Sequence, residues 1–355
     1  MKHLSIAALA ALAVLLGCEN PASPPPSARM VPVRPTLPQF YVSNTGNNNN
    51  PGTSDLPFKT ITFALSQAAQ TNPHARNLTS VYVTPGTYDS ANGEIFPLVV
   101  PAYVRVEAAI KRSGNVPAPA KIVGSGFIPG STFTSATVLI NGGAELSGLW
   151  ITTHNSVTPG QRAVVLNEGT GIVIEYCTIV GSYTGIFGAG HVQATIHDTV
   201  IEENETGVQL ADLKPQDGLV TELYRNSIRH NTWCGVYLNL GTGSVVPDLG
   251  GGLIGFVYKA NGSIVDPDSG MNPYAGVKTP VYGVGLNVLA WNGTHDLYID
   301  YAAGTVGAFS LFARNNSWSQ VAPGGTSGGE ISTSYPKVSI DSSNASQAPN
   351  TPASY

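Results

Sequence analysis

Hydrophobic positions in the middle of the chain recur in a repeating figure. Leu146 and Ile151, Ile174 and Ile179, Ile196 and Ile201, and Leu223 and Ile228 are apolar pairs five residues apart. After each pair a polar turn leads to a further apolar stretch: Ala163-Val164-Val165-Leu166, Gly185-Ile186-Phe187, Gly207-Val208-Gln209-Leu210 and Gly235-Val236-Tyr237-Leu238. A unit of roughly 20 to 30 residues with at least two strands and a turn cannot bury its own apolar face, so successive units must stack into one ladder with one core. Propeller blades take about 40 residues and four strands, and the spaced leucine consensus of leucine-rich repeats is missing. The pattern therefore predicts an all-β stack of coils, with the uneven spacing absorbed in loops. Asn204 and Asn231 fall at one position of successive units, just before the glycine, where an inward-turned amide can bond to its neighbour's backbone.

The ends of the chain follow other patterns. Lys2 and His3 precede a run from Leu4 to Leu16 that only Ser5 interrupts, and Gly17-Cys18 closes it. The run is shorter than the roughly 20 residues a bilayer core requires, so residues 1–17 read as a cleaved signal peptide. Small Gly17 before a thiol resembles the lipobox of bacterial lipoproteins. It implies lipid attachment at Cys18, a membrane as partner, and an extracytoplasmic place in the bacterial cell envelope. Residues 18–38, punctuated by Pro21, Pro24, Pro25, Pro26, Pro32, Pro35 and Pro38, form an extended tether. Residues 321–355, rich in Gly, Ser, Thr, Asn and Pro, read as a low-complexity tail, leaving 39–320 as the folded body.

Composition sharpens the class. With 40 Gly, 26 Pro and only 11% charged residues, the chain is poor in the residues that fill exposed helices, and its apolar residues are largely β-branched. A net charge of −5 with no basic run excludes nucleic acid as a partner, because neutralising phosphates takes clustered Lys and Arg. A monomer is expected. Cys177 and Cys234 are the thiols besides Cys18, and the repeat alignment sets them two coils apart at different turns, beyond the ~7 Å limit for a disulfide.

The front of the body carries a family resemblance. Phe40-Tyr41-Val42-Ser43-Asn44-Thr45-Gly46, Asn50-Pro51-Gly52-Thr53, Pro57-Phe58-Lys59-Thr60-Ile61 with Ala64-Leu65, and Val81-Tyr82-Val83-Thr84-Pro85-Gly86-Thr87-Tyr88 together resemble the opening of pectin-lyase-like proteins. They resemble in particular an uncharacterised amino-terminal domain common in the extracellular bacterial members. Asp248-Leu249-Gly250-Gly251-Gly252, Gly285-Leu286-Asn287-Val288-Leu289 and Asp296-Leu297 are similar to the closing coils, so the resemblance spans residues 40–300. It implies a single-stranded right-handed parallel β-helix, a solenoid, with an N-terminal capping helix. Here that helix runs from a Thr60 cap to about Gln70 and covers the open first coil. Asn47 to Asn50 stand where relatives often carry Asp, which puts any cation held by that loop in question.

Fold does not decide chemistry, and the superfamily includes polysaccharide lyases, galacturonan hydrolases and proteins with no known activity. Hydrolysis needs several carboxylates on neighbouring coils, yet the aligned repeats show no column of stacked Asp. Elimination from an acidic sugar needs Ca²⁺ and a basic residue, and no clear three-carboxylate cage appears. Asp266-Pro267-Asp268-Ser269-Gly270 comes nearest and reads as a polar loop, so no metal or other cofactor is assigned.

One column does collect chemistry. Ser147, Glu175, His197 and Tyr224 each follow an inward apolar residue and so face outward, one strand spacing or about 4.8 Å apart. Glu175, His197 and Tyr224 are the candidate catalytic set, with Glu175 orienting or charging His197. Further columns place Glu202 beside Arg229 and Glu203 beside His230, as groove partners or as surface ion pairs of small worth. Trp233, inserted before Gly235, is either a sugar-stacking platform or an anchor for its own loop. Three functions fit these features: a surface lipoprotein that binds polysaccharide, a lyase or hydrolase acting on acidic glycan, and a structural or adhesive stalk. The lack of stacked Asp favours the non-catalytic ones.

Overall fold

The computed structural model describes residues 37–109, 119–130, 134–153, 158–214, 219–250, 257–258, 264–265, 287–290, 292–301, 309–313, 316–318, 331–333, 338–341 and 346–347. Cys18, nearly all of the tether and Asp266 to Gly270 lie outside the described residues.

The two members of each apolar pair occupy different faces. Leu146, Ile174, Ile196 and Leu223 are Cα partners on successive strands of one sheet, and Ile151, Ile179, Ile201 and Ile228 are partners on a second. The later stretches build a third sheet, with Val164, Ile186, Val208 and Val236 in register. All of these side chains are at most 1% exposed, and each such burial contributes about 1.5–3 kcal/mol. Each coil thus has three strands. The spacing of five within a pair straddles a corner held by one left-handed residue: Gly148, Tyr176, Asp198 or Arg225, with φ between 49° and 72°.

The first sheet contains Gln39–Val42, Thr79–Val83, Val104–Ala108, Glu145–Ser147, Gly169–Glu175, Val192–His197 and Glu222–Tyr224. The second runs from Gly86–Asp89 through Trp150–Thr152 and Ser227–Arg229 to Val288–Ala290, and the third from Leu98–Val100 through Gln161–Leu166 and Cys234–Leu240 to His295–Tyr301. Successive strands pair in parallel, and the path is a right-handed parallel β-helix, the sense that parallel crossovers take. Strands Ile331–Thr333 and Ser346–Gln347 continue the third and second sheets beyond residue 320, into the segment read above as tail.

Polar residues inside the corners are paired along the stack. Asn231 Oδ1 accepts from the backbone N–H and side-chain amide of Asn204, both at 3.1 Å, and Asn231 donates to Asn292 Oδ1 at 2.9 Å. This is the inward amide ladder expected at Asn204 and Asn231. A second ladder at the other corner links Thr199, Asn226, Asn287 and Asn316, again through side-chain oxygens accepting from the preceding coil's backbone. Sequence reading missed it, although each member lies two residues before an inward Ile, Leu or Trp. Cys177 and Cys234 are both buried and not joined.

The helix spans Ile61–Gln70, and Thr60 caps it by accepting from the Phe63 N–H. It buries Ile61, Ala64, Leu65 and Ala68 against the first strands of the stack. Glu94, 4% exposed, accepts from the N–H groups of Ile61 (2.7 Å) and Thr62 (2.9 Å), donors that a helix start leaves orphaned. Asn48 Oδ1 accepts from the N–H groups of Lys59 and Thr60. The asparagine loop therefore stitches the chain to the start of the helix through amide chemistry. Among the described residues no helix is long and apolar enough to cross a membrane.

Candidate functional site

The outward column anticipated on the first face is in register: Ser147 pairs with Glu175, Glu175 with His197 and His197 with Tyr224. It also extends further than the repeats suggested, because Tyr41 pairs with Tyr82, Tyr82 with Glu107 and Glu107 with Ser147. Tyr41 and Tyr82 stack with centroids 5.0 Å apart. At about 4.8 Å per rung, Tyr41 and Tyr224 bracket a track about 29 Å long.

The His197 ring occupies the centre of a polar network. Ser147 Oγ donates to Glu175 Oε1 at 2.9 Å, Glu175 Oε2 lies 3.5 Å from His197 Nε2, and Asp198 Oδ2 lies 2.8 Å from His197 Nδ1. Each ring nitrogen thus has a carboxylate oxygen beside it. Arg225 donates from Nε to Asp198 Oδ1 at 2.8 Å and makes a second contact from Nη2 to Oδ2. The Arg225 hydrogen bond, aided by that of His197, holds the Asp198 carboxyl below its usual range against desolvation. Tyr224 stacks on His197 at 4.9 Å, 2° from coplanar, and the Arg225 guanidinium lies 4.9 Å from the Tyr224 ring centroid. Tyr176 meets the imidazole edge-on at 6.0 Å and is 54% exposed.

Asp198, Arg225 and Tyr176 were not among the sequence candidates, yet each directly follows a column residue. The left-handed corner turns these residues back beside the column. Glu222 was also missed. It is two residues before Tyr224 on the same strand, and its backbone forms a parallel β-bridge with Asp248. Burial, with the Asp248 carboxylate acting in the same direction, pushes its carboxyl up to about 7. A carboxylic acid that exchanges its proton near neutrality suits general acid–base work, whereas His197, held between two carboxylates, suits positioning.

The other candidates fall elsewhere. Glu202 and Arg229 pair on the second face, Oε2 to Nε 2.9 Å, and Arg229 is 8% exposed; this is an ion pair laid along the sheet. Glu203 and His230 are exposed left-handed corner residues of successive coils. Trp233 belongs to the third face, where its ring packs edge-on against Tyr237 (5.2 Å) and Tyr298 (5.7 Å). Among the described residues no group of three or more His, Cys, Asp or Glu side chains is placed to hold a metal ion.

A family described as "Protein of unknown function (DUF1565)" matches residues 44–263. No curated protein matches the sequence. Similar solved structures include pectate lyase Pel9A, 15% identical with a TM-score of 0.40 over 88% of this chain and 79% of that one. Others are a rhamnogalacturonan lyase (13%, TM-score 0.34, 88% and 90%) and the A-module of the Azotobacter vinelandii mannuronan C-5 epimerase AlgE4 (12%, TM-score 0.29, 81% and 90%).

Proposed function

The chain belongs to the DUF1565 family of proteins of unknown function, and from that premise we propose that it binds polysaccharide along the outer side of its first sheet. The observation that carries this reading is the unbroken outward column Tyr41, Tyr82, Glu107, Ser147, Glu175, His197 and Tyr224. Aromatic rings at both ends offer apolar surface to sugar rings; between them Glu107 and Ser147 are buried, and the partly exposed Glu175 and His197 are the polar groups within reach of hydroxyls. Tyr176 and Arg225, the exposed corner residues, flank the track at the His197 end. A polysaccharide array scored for retention tests this directly. Wild type retained on at least one glycan, and weakened about tenfold by Tyr224→Ala or Tyr176→Ala, is the expected result; equal retention of the variants removes the first face.

Glu222 favours a second reading, in which the same face cleaves the glycan it holds. Its near-neutral carboxyl beside Tyr224 supports it. New reducing or unsaturated ends, with a pH profile inflecting near 7 and lost in Glu222→Gln, are the expected signature. No new ends at any pH leaves binding alone.

We also place the protein on a membrane surface in the cell envelope through Cys18, on the strength of the apolar run Leu4 to Leu16 and the Gly17-Cys18 ending. Labelled fatty acid should enter wild type and not Cys18→Ser, and the variant should leave the membrane fraction.

A further inference from the structure

The third face carries an outward column of its own. Val165 pairs with Phe187, Phe187 with Gln209, Gln209 with Tyr237 and Tyr237 with Tyr298. At the Val165 end the column is roofed: Leu139, Val165 and Ala136 are buried in a small apolar cluster with Ile128 and Phe187, separate from the core. From Gln209 onward it is partly open, and there the side chains become aromatic and polar. Tyr237 and Tyr298 lie 5.6 Å apart, and Trp233 stands against both. Asn239 donates to the Tyr237 hydroxyl at 3.1 Å.

Arg162 lies beside the roofed end. Its guanidinium is 3.4 Å over the Phe187 ring, and among the described residues no acidic side chain pairs with it. Burial lowers it to about 10, so it is charged at neutral pH. A guanidinium flattened on an aromatic ring keeps its edge donors for a planar anion, the carboxylate fork being its best match.

We infer that this third face is a second glycan site, which takes an acidic sugar chain with one carboxylate on Arg162, where its guanidinium lies over Phe187, and a sugar ring on Tyr237, Tyr298 and Trp233, two or three rungs beyond Phe187. Two rungs are about 10 Å, a reach that one oligosaccharide spans. Arg162 separates this ligand from a neutral glycan and the ring cluster separates it from a simple anion, while Asp300, which hydrogen-bonds Tyr237, requires that the chain's carboxylate lie at the Arg162 end. The inference rests on the protein handling glycans, but on a face different from the one proposed above.

The test uses the folded protein with a panel of uronans and their carboxyl-reduced, neutral counterparts, measured by calorimetry. Trp233→Ala and Tyr298→Ala should each weaken uronan binding about tenfold. Arg162→Gln should erase the preference for the uronan over its reduced form while leaving the reduced form's affinity unchanged. Circular dichroism identifies any variant that has lost its fold. Uronan binding unchanged in Trp233→Ala, Tyr298→Ala and Arg162→Gln, but lost in Tyr224→Ala, overturns the third-face site and leaves the first-face site standing. Loss in the third-face variants alone supports it. Equal wild-type affinity for a uronan and its reduced form overturns the assignment of Arg162.

Discussion

Asn231 shows how a single side chain holds neighbouring coils together. It accepts from Asn204 and donates to Asn292 and to the Ile201 carbonyl at 3.2 Å, while being 1% exposed. Asn231→Leu keeps the volume but orphans buried groups on both neighbours, each costing about 1–3 kcal/mol; urea unfolding should show a loss of at least that size. Gly207 beside the ladder is equally constrained, since a Cβ there would stand 2.5 Å from the Gly235 carbonyl oxygen and 2.9 Å from Asn231 Nδ2. Glu222 makes the opposite case, of a residue that does not suit its surroundings at neutral pH. Its folded carboxyl is raised from the usual 4.5 to about 7, so the folded state binds the proton more tightly than the unfolded chain. The resulting stability is fully present below about 4.5 and lost as pH rises through about 7, a fall of about 3 kcal/mol. Glu222→Gln should flatten that fall in denaturant midpoints measured between pH 4.5 and 8. The ladder position of Asn231 was readable from the repeats. The state of Glu222 was not, because it depends on Asp248 and on burial by a later part of the chain.

At the scale of elements, the helix Ile61–Gln70 was the most legible piece, since its cap Thr60 and its apolar positions are all local. Its other support, Glu94, lies thirty-odd residues onward, and no local pattern marks a carboxylate that will turn back onto a helix start. Glu94→Ala leaves the Ile61 and Thr62 donors without their acceptor. It should cost about 2–4 kcal/mol, against about 1 kcal/mol for Thr60→Ala. Hydrogen exchange should show protection lost in the helix and in Gln39–Val42, the edge strand it covers, while the rungs around Ile196 keep theirs. The corners between the first and second faces were legible only as a spacing. That Asp198 and Arg225 occupy them, and there brace His197, follows from a left-handed backbone that the five-residue interval does not disclose.

At the largest scale, the described coils from Leu37 onward form a stack in which each coil pairs with the coils before and after it, so its stability is close to a sum of nearest-neighbour terms. Ile196→Ala in a middle coil should cost about 2–5 kcal/mol. Exchange rates should rise most in the strands holding Ile174 and Leu223 and least at Val83, which checks the nearest-neighbour picture directly. By itself the sequence determined the coil: inward and outward positions alternate along a strand, and the apolar pairs recur, so the stacking of coils, the Glu175–His197–Tyr224 register and the Asn204–Asn231 ladder could be read by alignment, while the division of each coil into three strands could not. Only the tertiary structure decided which groups from different coils and corners converge. Arg225 and Asp198 closing on His197, Glu222 desolvated beside Asp248, and Trp233 meeting Tyr298 all depend on loop lengths and on corner geometry. Neither is periodic, and so neither leaves a mark in the pattern of apolar residues.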